Sequence, residues 1–298
     1  MLVVAVRVTH HKEVALKAIK GGKDLFIEWP AGRNLEETKE IHEAAMKMGV
    51  KTVVGFQLRF TAYALKAKSI IESGEIGKVI ASSFTVSMGP FSLYGPATLE
   101  GYKYVLDPSN GCTLVDIAGG HLFDLLTYIL GPIASLTALL QNQIPSITII
   151  SSDGKPTGET VSFDGPHQIC VSGVLVSGAV FNVNIQSGAK QSSDFNWVIH
   201  GEKGTVRIRD DDRTRQMGLF DASPEVYLNG SKIELEDVGV SAMTVNSENF
   251  DTTATGLAWK ALADGKSGTY ATLVEALKAK EVIAAIKKSS KEGKRVYL

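Results

Sequence analysis

Three short apolar segments near the N-terminus, separated by two amphipathic ones, constrain the fold most strongly. The apolar segments are residues 2–8, 24–30 and 50–56, and their length and composition predict buried β-strands. Residues 9–22 and 34–49 carry apolar side chains at helical spacing and end in glycine, which predicts helices. This alternation of strands and helices indicates a parallel sheet with right-handed crossovers.

The sequence beyond residue 60 changes character. Helices are predicted over residues 62–74, 113–130 and 270–290, and a strand over residues 78–86. Further segments are β-branched or alternating and are joined by short glycine-containing turns, which predicts an antiparallel sheet; they are residues 133–141, 167–176, 179–186, 194–200 and 204–209. We expect an α/β plus α+β chain, with a truncated parallel sheet in residues 1–60 and a larger, mainly antiparallel open-sheet domain in residues 61–298.

Composition excludes several classes of protein. The 298 residues are 44% hydrophobic and carry a formal charge of −1, so neither nucleic acid nor an anionic membrane is expected as a partner. No signal peptide and no apolar run of about 18 residues is recognised, so no membrane span is expected. Cys112 and Cys170 lack metal or redox spacing and are interpreted as buried free thiols in a reducing compartment, the cytoplasm.

Several short motifs occur along the chain in the same order as in a known protein family. Glu28-Trp29-Pro30 follows the second strand, residues 71–79 read Ile-Glu-Ser-Gly-Glu-Ile-Gly-Lys-Val, residues 119–124 read Gly-Gly-His-Leu-Phe-Asp, and residues 200–205 read His-Gly-Glu-Lys-Gly-Thr. They resemble the glucose-fructose oxidoreductase, inositol dehydrogenase and MocA (Gfo/Idh/MocA) family, above all its fungal branch containing the galactose repressor. The resemblance covers nearly the whole chain but lacks the family's first strand, helix, strand and helix.

The lack of these family elements bears on whether a cofactor can bind. A dinucleotide fold of this kind holds the pyrophosphate with a glycine-rich loop and a helix N-terminus, and no G-x-G-x-x-G spacing follows a strand here. The resemblance places a substrate-orienting lysine at the position of Trp29, whose indole cannot titrate but offers a flat face for stacking. We therefore expect no cofactor, with NAD or NADP as the alternative.

The resemblance indicates His121 as the main candidate catalytic residue, because it matches the family's helix histidine. Asp116 lies five residues earlier, which on an ideal helix turns its carboxylate about 140° away from the imidazole. His121 is interpreted as a general acid or base in a cleft between the domains, with packing beneath the helix as the alternative. Asp116 is its candidate partner, and capping of its own turn is an equally physical role.

Other pocket candidates follow the strands or precede the histidine helix. His10 lies at the carboxyl end of the first strand, where such sheets place ligands, whereas His11 matches a position that looks structural. Glu28 either lines the pocket or braces its loop, and Arg59 either holds a substrate oxygen or makes a surface salt bridge. Three tyrosines are expected to roof an apolar pocket, with loop packing as the alternative; they are Tyr94, Tyr102 and Tyr104.

Three functions remain open. The preferred one is a small-molecule enzyme doing cofactor-independent acid–base chemistry such as isomerisation, elimination or cyclisation, on a partly apolar substrate. The alternatives are an NAD(P)-dependent oxidoreductase and a non-catalytic, galactose-repressor-like regulator. A homo-oligomer is also expected, because residues 2–8 would leave an exposed strand edge and the family's antiparallel sheet commonly forms a subunit interface. That edge should be covered by another chain segment or a partner subunit.

Overall fold

A computed structural model describes residues 1–89, 94–188, 194–210, 224–235, 254–266 and 268–298. The N-terminal segment forms the expected three-stranded parallel sheet, in the order β1-β2-β3. Its elements are β1 (Leu2–Val4), α1 (His11–Lys20), β2 (Leu25–Glu28), α2 (Leu35–Met48) and β3 (Thr52–Gly55). The side chain of Asn34 accepts the Glu37 amide at the start of α2, and Gly49 ends that helix with φ +63°.

The rest of the described chain builds a larger sheet of nine strands and a small sheet of three, β5-β7-β8. Its elements are α3 (Ala62–Glu72), β4 (Val79–Met88), β5 (Ala97–Leu99), α4 (Gly120–Leu130), β6 (Ile133–Gln141), β7 (Ser146–Ile150), β8 (Pro156–Ser162), β9 (Gln168–Leu175), β10 (Val180–Ser187), β11 (Asp194–Gly201), β12 (Thr205–Asp210), β13 (Glu225–Leu228), β14 (Ser231–Ile233), α5 (Ala254–Ala263), α6 (Leu273–Glu292) and β15 (Val296–Tyr297). The large sheet has the order β14-β13-β12-β11-β4-β10-β9-β6-β15, and only the β4–β10 pair is parallel. The two predicted sheet types are thus confirmed.

The inner face of the large sheet is apolar and aromatic. Phe84 of β4 stacks on Trp197 of β11 with ring centroids 4.5 Å apart, and the Trp197 indole donates to the Ser82 hydroxyl at 2.9 Å. Helix α6 packs on β6 and on α2, and the amide of Leu273 donates to the Thr52 hydroxyl of β3. The last helix therefore returns to the parallel sheet, as the resemblance implies, while a domain boundary at residue 60 stays a prediction.

Some sequence-based predictions need correction. The first strand has three residues rather than seven, because Val8–His10 turns into a short 3-10 helix. The two ring nitrogens of the buried His11 lie 2.8 and 2.9 Å from the carbonyl oxygens of Val6 and Pro30, and the protonated nitrogen donates to one of them, so the ring packs between the loops after β1 and β2. Cys112 is buried as expected, but Cys170 is exposed, because it alternates with the inward-facing Ile169 and Val171 of β9.

The segment Pro108–Leu130 is long and apolar enough to cross a membrane by those criteria alone, and 78% of its most apolar window is buried inside the fold. Such burial is typical of the core helix of a globular protein.

The outer edge of the parallel sheet is open in the described part of the chain. There β1 pairs with β2 on one side only, and Val3 is 44% exposed. No described strand pairs with that edge, so its covering by another chain segment or a partner subunit stays a prediction, and so does the homo-oligomer.

One side chain joins the parallel sheet to α4. The indole of Trp29, just after β2, donates to the backbone carbonyl of Asp116 at 2.9 Å. A Cβ at Gly120, the first residue of α4, would lie 2.2 Å from the Trp29 Nε1 atom. Glycine is therefore required there for the indole to reach the helix. At the neighbouring Gly119 the nearest atom to such a Cβ is 3.5 Å away, an ordinary contact.

We expect Gly120→Ala to lower the free energy of unfolding by about 1–3 kcal/mol, the usual cost of overpacking. Gly119→Ala is the matched control, because it lies in the same helical segment and has room for a methyl group. It should be neutral or stabilising by about 0.5–1 kcal/mol through helix propensity. Urea denaturation of both variants checks this, and equal destabilisation would contradict the packing role of Trp29.

Candidate functional site

The candidate site lies where the parallel strands end against α4. Trp29 is only 6% exposed, its ring centroid is 4.6 Å from that of Phe56, and the ammonium of Lys280 lies 5.2 Å from its ring. With its edge against Gly120, this indole has no open surface for stacking on a substrate. Trp29 is a packing residue here, and its predicted role as a stacking platform receives no support from this geometry.

His121 is enclosed in the same way. Its imidazole is 6% exposed and meets the Phe56 ring edge-on, with centroids 5.7 Å apart. Burial lowers the pKa of His121 to about 3, so the ring is neutral throughout the physiological range. A general acid or base must reach the proton that it transfers, and an enclosed neutral imidazole does not meet that requirement in this conformation.

Asp116 has its own partners. Its carboxylate accepts the Thr113 amide at 3.2 Å and the Thr113 hydroxyl, and it pairs with the ammonium of Lys287 of α6 at 2.7 Å. The backbone of residues Val115–Gly119 forms a single π turn that leads into α4. These contacts fit the capping role that the sequence left open, and His121 is not among the partners of Asp116.

Arg59 is neither a free anchor for substrate nor part of a surface salt bridge. Its guanidinium makes a two-pronged pair with the Asp124 carboxylate of α4, at 2.8 Å for the Nε–Oδ2 bond, and both side chains are buried. The guanidinium also lies 4.6 Å from the Tyr128 ring. Burial raises the pKa of Asp124, and the facing Arg59 opposes that shift. This buried ion pair locks the turn after β3 to α4.

Glu28 is a titratable group of the site that keeps some contact with solvent. It ends β2, is partly exposed, and accepts the Gln57 side-chain amide at 3.0 Å. A Cβ at Gly55 would lie 2.2 Å from the Glu28 carboxylate, so the carboxylate occupies a notch that glycine leaves in β3. Burial raises the pKa of Glu28 from 4.5 to about 7. A carboxyl group with this pKa can exchange a proton near neutral pH.

The three tyrosines do not form one roof. Tyr94 is in the core, where its hydroxyl donates to the Cys112 carbonyl. Tyr104 is partly buried beneath the Arg7 guanidinium, 4.8 Å from the ring, and Tyr102 is exposed. His10 is also exposed, at the end of the 3-10 turn after β1. The structure therefore brings Trp29, His121, Asp116, Arg59 and Glu28 to one region. The other candidates, His10, Tyr94, Tyr102 and Tyr104, do not join them in a common pocket.

Lys280 of α6 is a member of this region that sequence reasoning missed. It is 2% exposed, and its ammonium donates to the Arg33 carbonyl at 3.3 Å while lying over Trp29. Burial lowers the pKa of Lys280 to about 8, and the nearby Asp116 opposes that shift. Its signal in the sequence was its spacing, because it lies four residues after Ala276 and three before Ile283, on the apolar face of the helix.

The described residues contain neither a glycine-rich turn after a parallel strand nor a cluster of metal-ligating side chains. The turns after β1, β2 and β3 begin with Ala5, Trp29 and Phe56, and none of them has the glycine spacing that presents backbone amides to a pyrophosphate. Across the described ranges, no group of three or more His, Cys, Asp or Glu side chains is arranged to hold a metal ion.

Sequence comparisons connect both parts of the chain to known proteins. Residues 1–56 match the oxidoreductase family with an NAD-binding Rossmann fold (Gfo/Idh/MocA), and residues 62–210 match the Gal80p C-terminal domain. Dehydrogenase aclE of Aspergillus oryzae is 28% identical over 98% of this chain and 76% of its own length. The galactose/lactose metabolism regulatory protein GAL80 of Saccharomyces cerevisiae is 30% identical over 71% of this chain, but the match spans only about half, 51%, of that protein.

Solved structures show the same fold. A super-repressor mutant of Gal80p from Saccharomyces cerevisiae superposes with a TM-score of 0.82 at 22% identity, covering 99% of this chain and 79% of the other. Levoglucosan dehydrogenase in complex with NADH and levoglucosan gives a TM-score of 0.74 at 19% identity, with coverage of 99% and 79%. With a Gal80-like domain matching residues 62–210 and the oxidoreductase model matching the residues before it, the chain belongs to the Gfo/Idh/MocA family and carries a Gal80-like C-terminal domain.

Proposed function

We propose that this chain is a non-catalytic regulatory protein of the Gal80 type, in which protein side chains fill the former catalytic pocket. The observation that carries the proposal is the packing around Phe56, whose ring contacts Trp29 at 4.6 Å and His121 at 5.7 Å. Both contacting side chains are buried, and His121 is the residue to which the resemblance gives proton transfer.

The electrostatics of the site support the same conclusion. His121 is neutral, Asp116 is bound to Thr113 and Lys287, and Arg59 is paired with Asp124. Acid–base catalysis uses groups that can approach the substrate and change charge near the working pH. Each of these groups is instead occupied by a partner or enclosed by packing, which favours binding without turnover.

The curated relatives include both kinds of protein. GAL80 is named as a regulatory protein of galactose and lactose metabolism, and its C-terminal domain matches half of this chain. Dehydrogenase aclE matches nearly the whole chain, so an NAD(P)-dependent oxidoreductase is the second candidate. Glu28, with its pKa near 7 at a strand end, is the group that favours an enzyme. Cofactor-independent isomerisation, elimination or cyclisation has less support, because His121 and Asp116 do not act on each other.

The proposal includes a partner and a location. We expect the chain to act in the cytoplasm by binding another protein, and a small molecule can bias such binding. Absence of NAD or NADP belongs to the proposal too, supported by the buried indole of Trp29 at the position to which the resemblance gives a lysine. A homo-oligomer remains the predicted assembly.

A cofactor and turnover test separates the candidates. Calorimetric titration of the purified chain with the oxidised and reduced forms of NAD and NADP should show no saturable binding below about 1 mM, a bound set by the loss of charge-assisted contacts to the phosphates. Incubation with sugars and polyols should produce no reduced nicotinamide. Levoglucosan dehydrogenase, which binds NADH, is the positive control. Micromolar binding with turnover would establish the oxidoreductase instead.

His121→Gln tests the regulatory part in cells. We expect the variant to lose about 1–2 kcal/mol of stability, because the edge-on contact with Phe56 is removed from a packed core. Deleting the gene in its own host should change transcript levels of a set of metabolic genes, and the variant should restore them. A variant that folds with an unchanged melting temperature but loses turnover by about 100-fold or more would make His121 catalytic.

Glu28 gives the stability a defined pH dependence. Its pKa is raised from 4.5 to about 7 in the folded chain, so its contribution to stability is complete below 4.5 and is lost as the pH rises through 7. We expect the stability difference between wild type and Glu28→Gln to shift by on the order of 2 kcal/mol, against the wild type, from about pH 5 to pH 8. Glu36→Gln on the exposed first turn of α2 is the control. A constant difference would show that Glu28 is not desolvated.

A further inference from the structure

A pocket of about 290 Å³ opens between α4, α6 and the turn that joins β9 to β10. Phe123 of α4 and Ala279 and Val282 of α6 line it, and these side chains are 1%, 5% and 8% exposed. The charged residues in its lining, Lys278 and Glu281, occupy exposed positions of α6. The pocket therefore has an apolar interior and places charged side chains at its mouth.

This pocket is separate from the site around Trp29, although the same two helices build both. His121 of that site and Phe123 of the pocket are two residues apart on α4, and Lys280 and Val282 are two residues apart on α6. Side chains at this spacing point about 160° apart on an ideal helix. The pocket thus lies on the far side of both helices from the Trp29 indole.

Backbone hydrogen bonds hold the rim of the pocket in place. The Val176 amide in the turn after β9 donates to the Pro132 carbonyl at 2.8 Å, so this turn is fixed to the one that follows α4. The Leu175 amide closes the β9–β10 turn on the Ala179 carbonyl at the same distance. A pocket that is already formed lets a ligand bind with little ordering of the protein.

Thr127 of α4 supplies a polar group to the lining. Its hydroxyl donates its proton to the Phe123 carbonyl at 2.8 Å, and the oxygen keeps the capacity to accept a hydrogen bond. The apolar walls oppose a charged ligand, because burying an unpaired charge is costly. An apolar cavity of about 150 Å³ is enough to hold benzene, so about 290 Å³ accepts a molecule of roughly two fused rings.

We propose that this pocket binds a small uncharged molecule with an apolar body of about two rings and one hydroxyl group. The body packs on Phe123, Ala279 and Val282, and the ligand hydroxyl donates to the Thr127 oxygen. The inference goes beyond the proposed function, because it concerns a second site and holds for a regulator and for an enzyme alike.

Titration calorimetry with 2-naphthol tests it, with phenol as the smaller counterpart. We expect saturable binding of 2-naphthol, and binding of phenol that is weaker by roughly tenfold or more because less apolar surface is buried. Ala279→Leu should weaken 2-naphthol binding by roughly tenfold or more, because the added atoms occupy the pocket. Ala263→Leu, the same change at an exposed position of α5, is the control and should leave binding unchanged.

Thr127→Val tests the polar contact without filling the pocket. It removes one hydrogen bond and should weaken 2-naphthol binding by about two- to tenfold. Amide chemical shifts locate the ligand: 2-naphthol should move the backbone signals of Gly131 and Val176 and leave those of Gly204 and Gly230, at the far edge of the large sheet, in place.

Several results would overturn the proposal. They are the absence of saturable binding, equal affinity in wild type and Ala279→Leu, unchanged affinity in Thr127→Val, and shifts at Gly204 and Gly230 instead of Gly131 and Val176. A second copy of the chain is the competing occupant. Light scattering that shows an oligomer dissociating on addition of 2-naphthol would identify the pocket as a subunit contact instead.

Discussion

The contact between the Trp29 indole and the turn before α4 is the interaction on which the rest of the site depends. A π turn leaves backbone groups in unusual positions, and here the Asp116 carbonyl receives the indole N–H. The absence of a side chain at Gly120 lets the ring approach, and the Lys280 ammonium and the Phe56 ring complete its surroundings. The end of β2, the start of α4 and the middle of α6 thus share one aromatic contact.

In this arrangement several polar groups hold structural elements together. Arg59 and Asp124 form a buried pair, which is costly to desolvate and strongly destabilising to break on one side. Asp116 joins its own turn to α6 through Lys287. Glu28 combines partial contact with solvent and a pKa near neutrality. The site resembles a dehydrogenase cleft in its residues and a protein core in its contacts.

Periodicity and motif order were enough to predict the two sheets, because the pattern of apolar and polar residues within each strand indicates which of its side chains are buried. The same alternation could have predicted the exposure of Cys170, since its neighbours Ile169 and Val171 face the core. The sequence did not indicate which charged side chains or which strands would pair with each other. The Arg59–Asp124 pair joins residues 65 apart, and the parallel pairing of β4 with β10 joins strands about a hundred residues apart. Nothing local in the sequence distinguishes such a buried pair from a surface salt bridge.

The return of α6 to the parallel sheet has a consequence for how the chain is made. The contacts of Leu273 with Thr52 and of Lys280 with Arg33 join residues 221 and 247 positions apart. A ribosome releases β3 and α2 long before α6, the helix that packs against them. Contacts of such separation slow folding and leave apolar strand surface uncovered in the nascent chain. The N-terminal sheet is therefore the region in which a chaperone would have most to protect during synthesis.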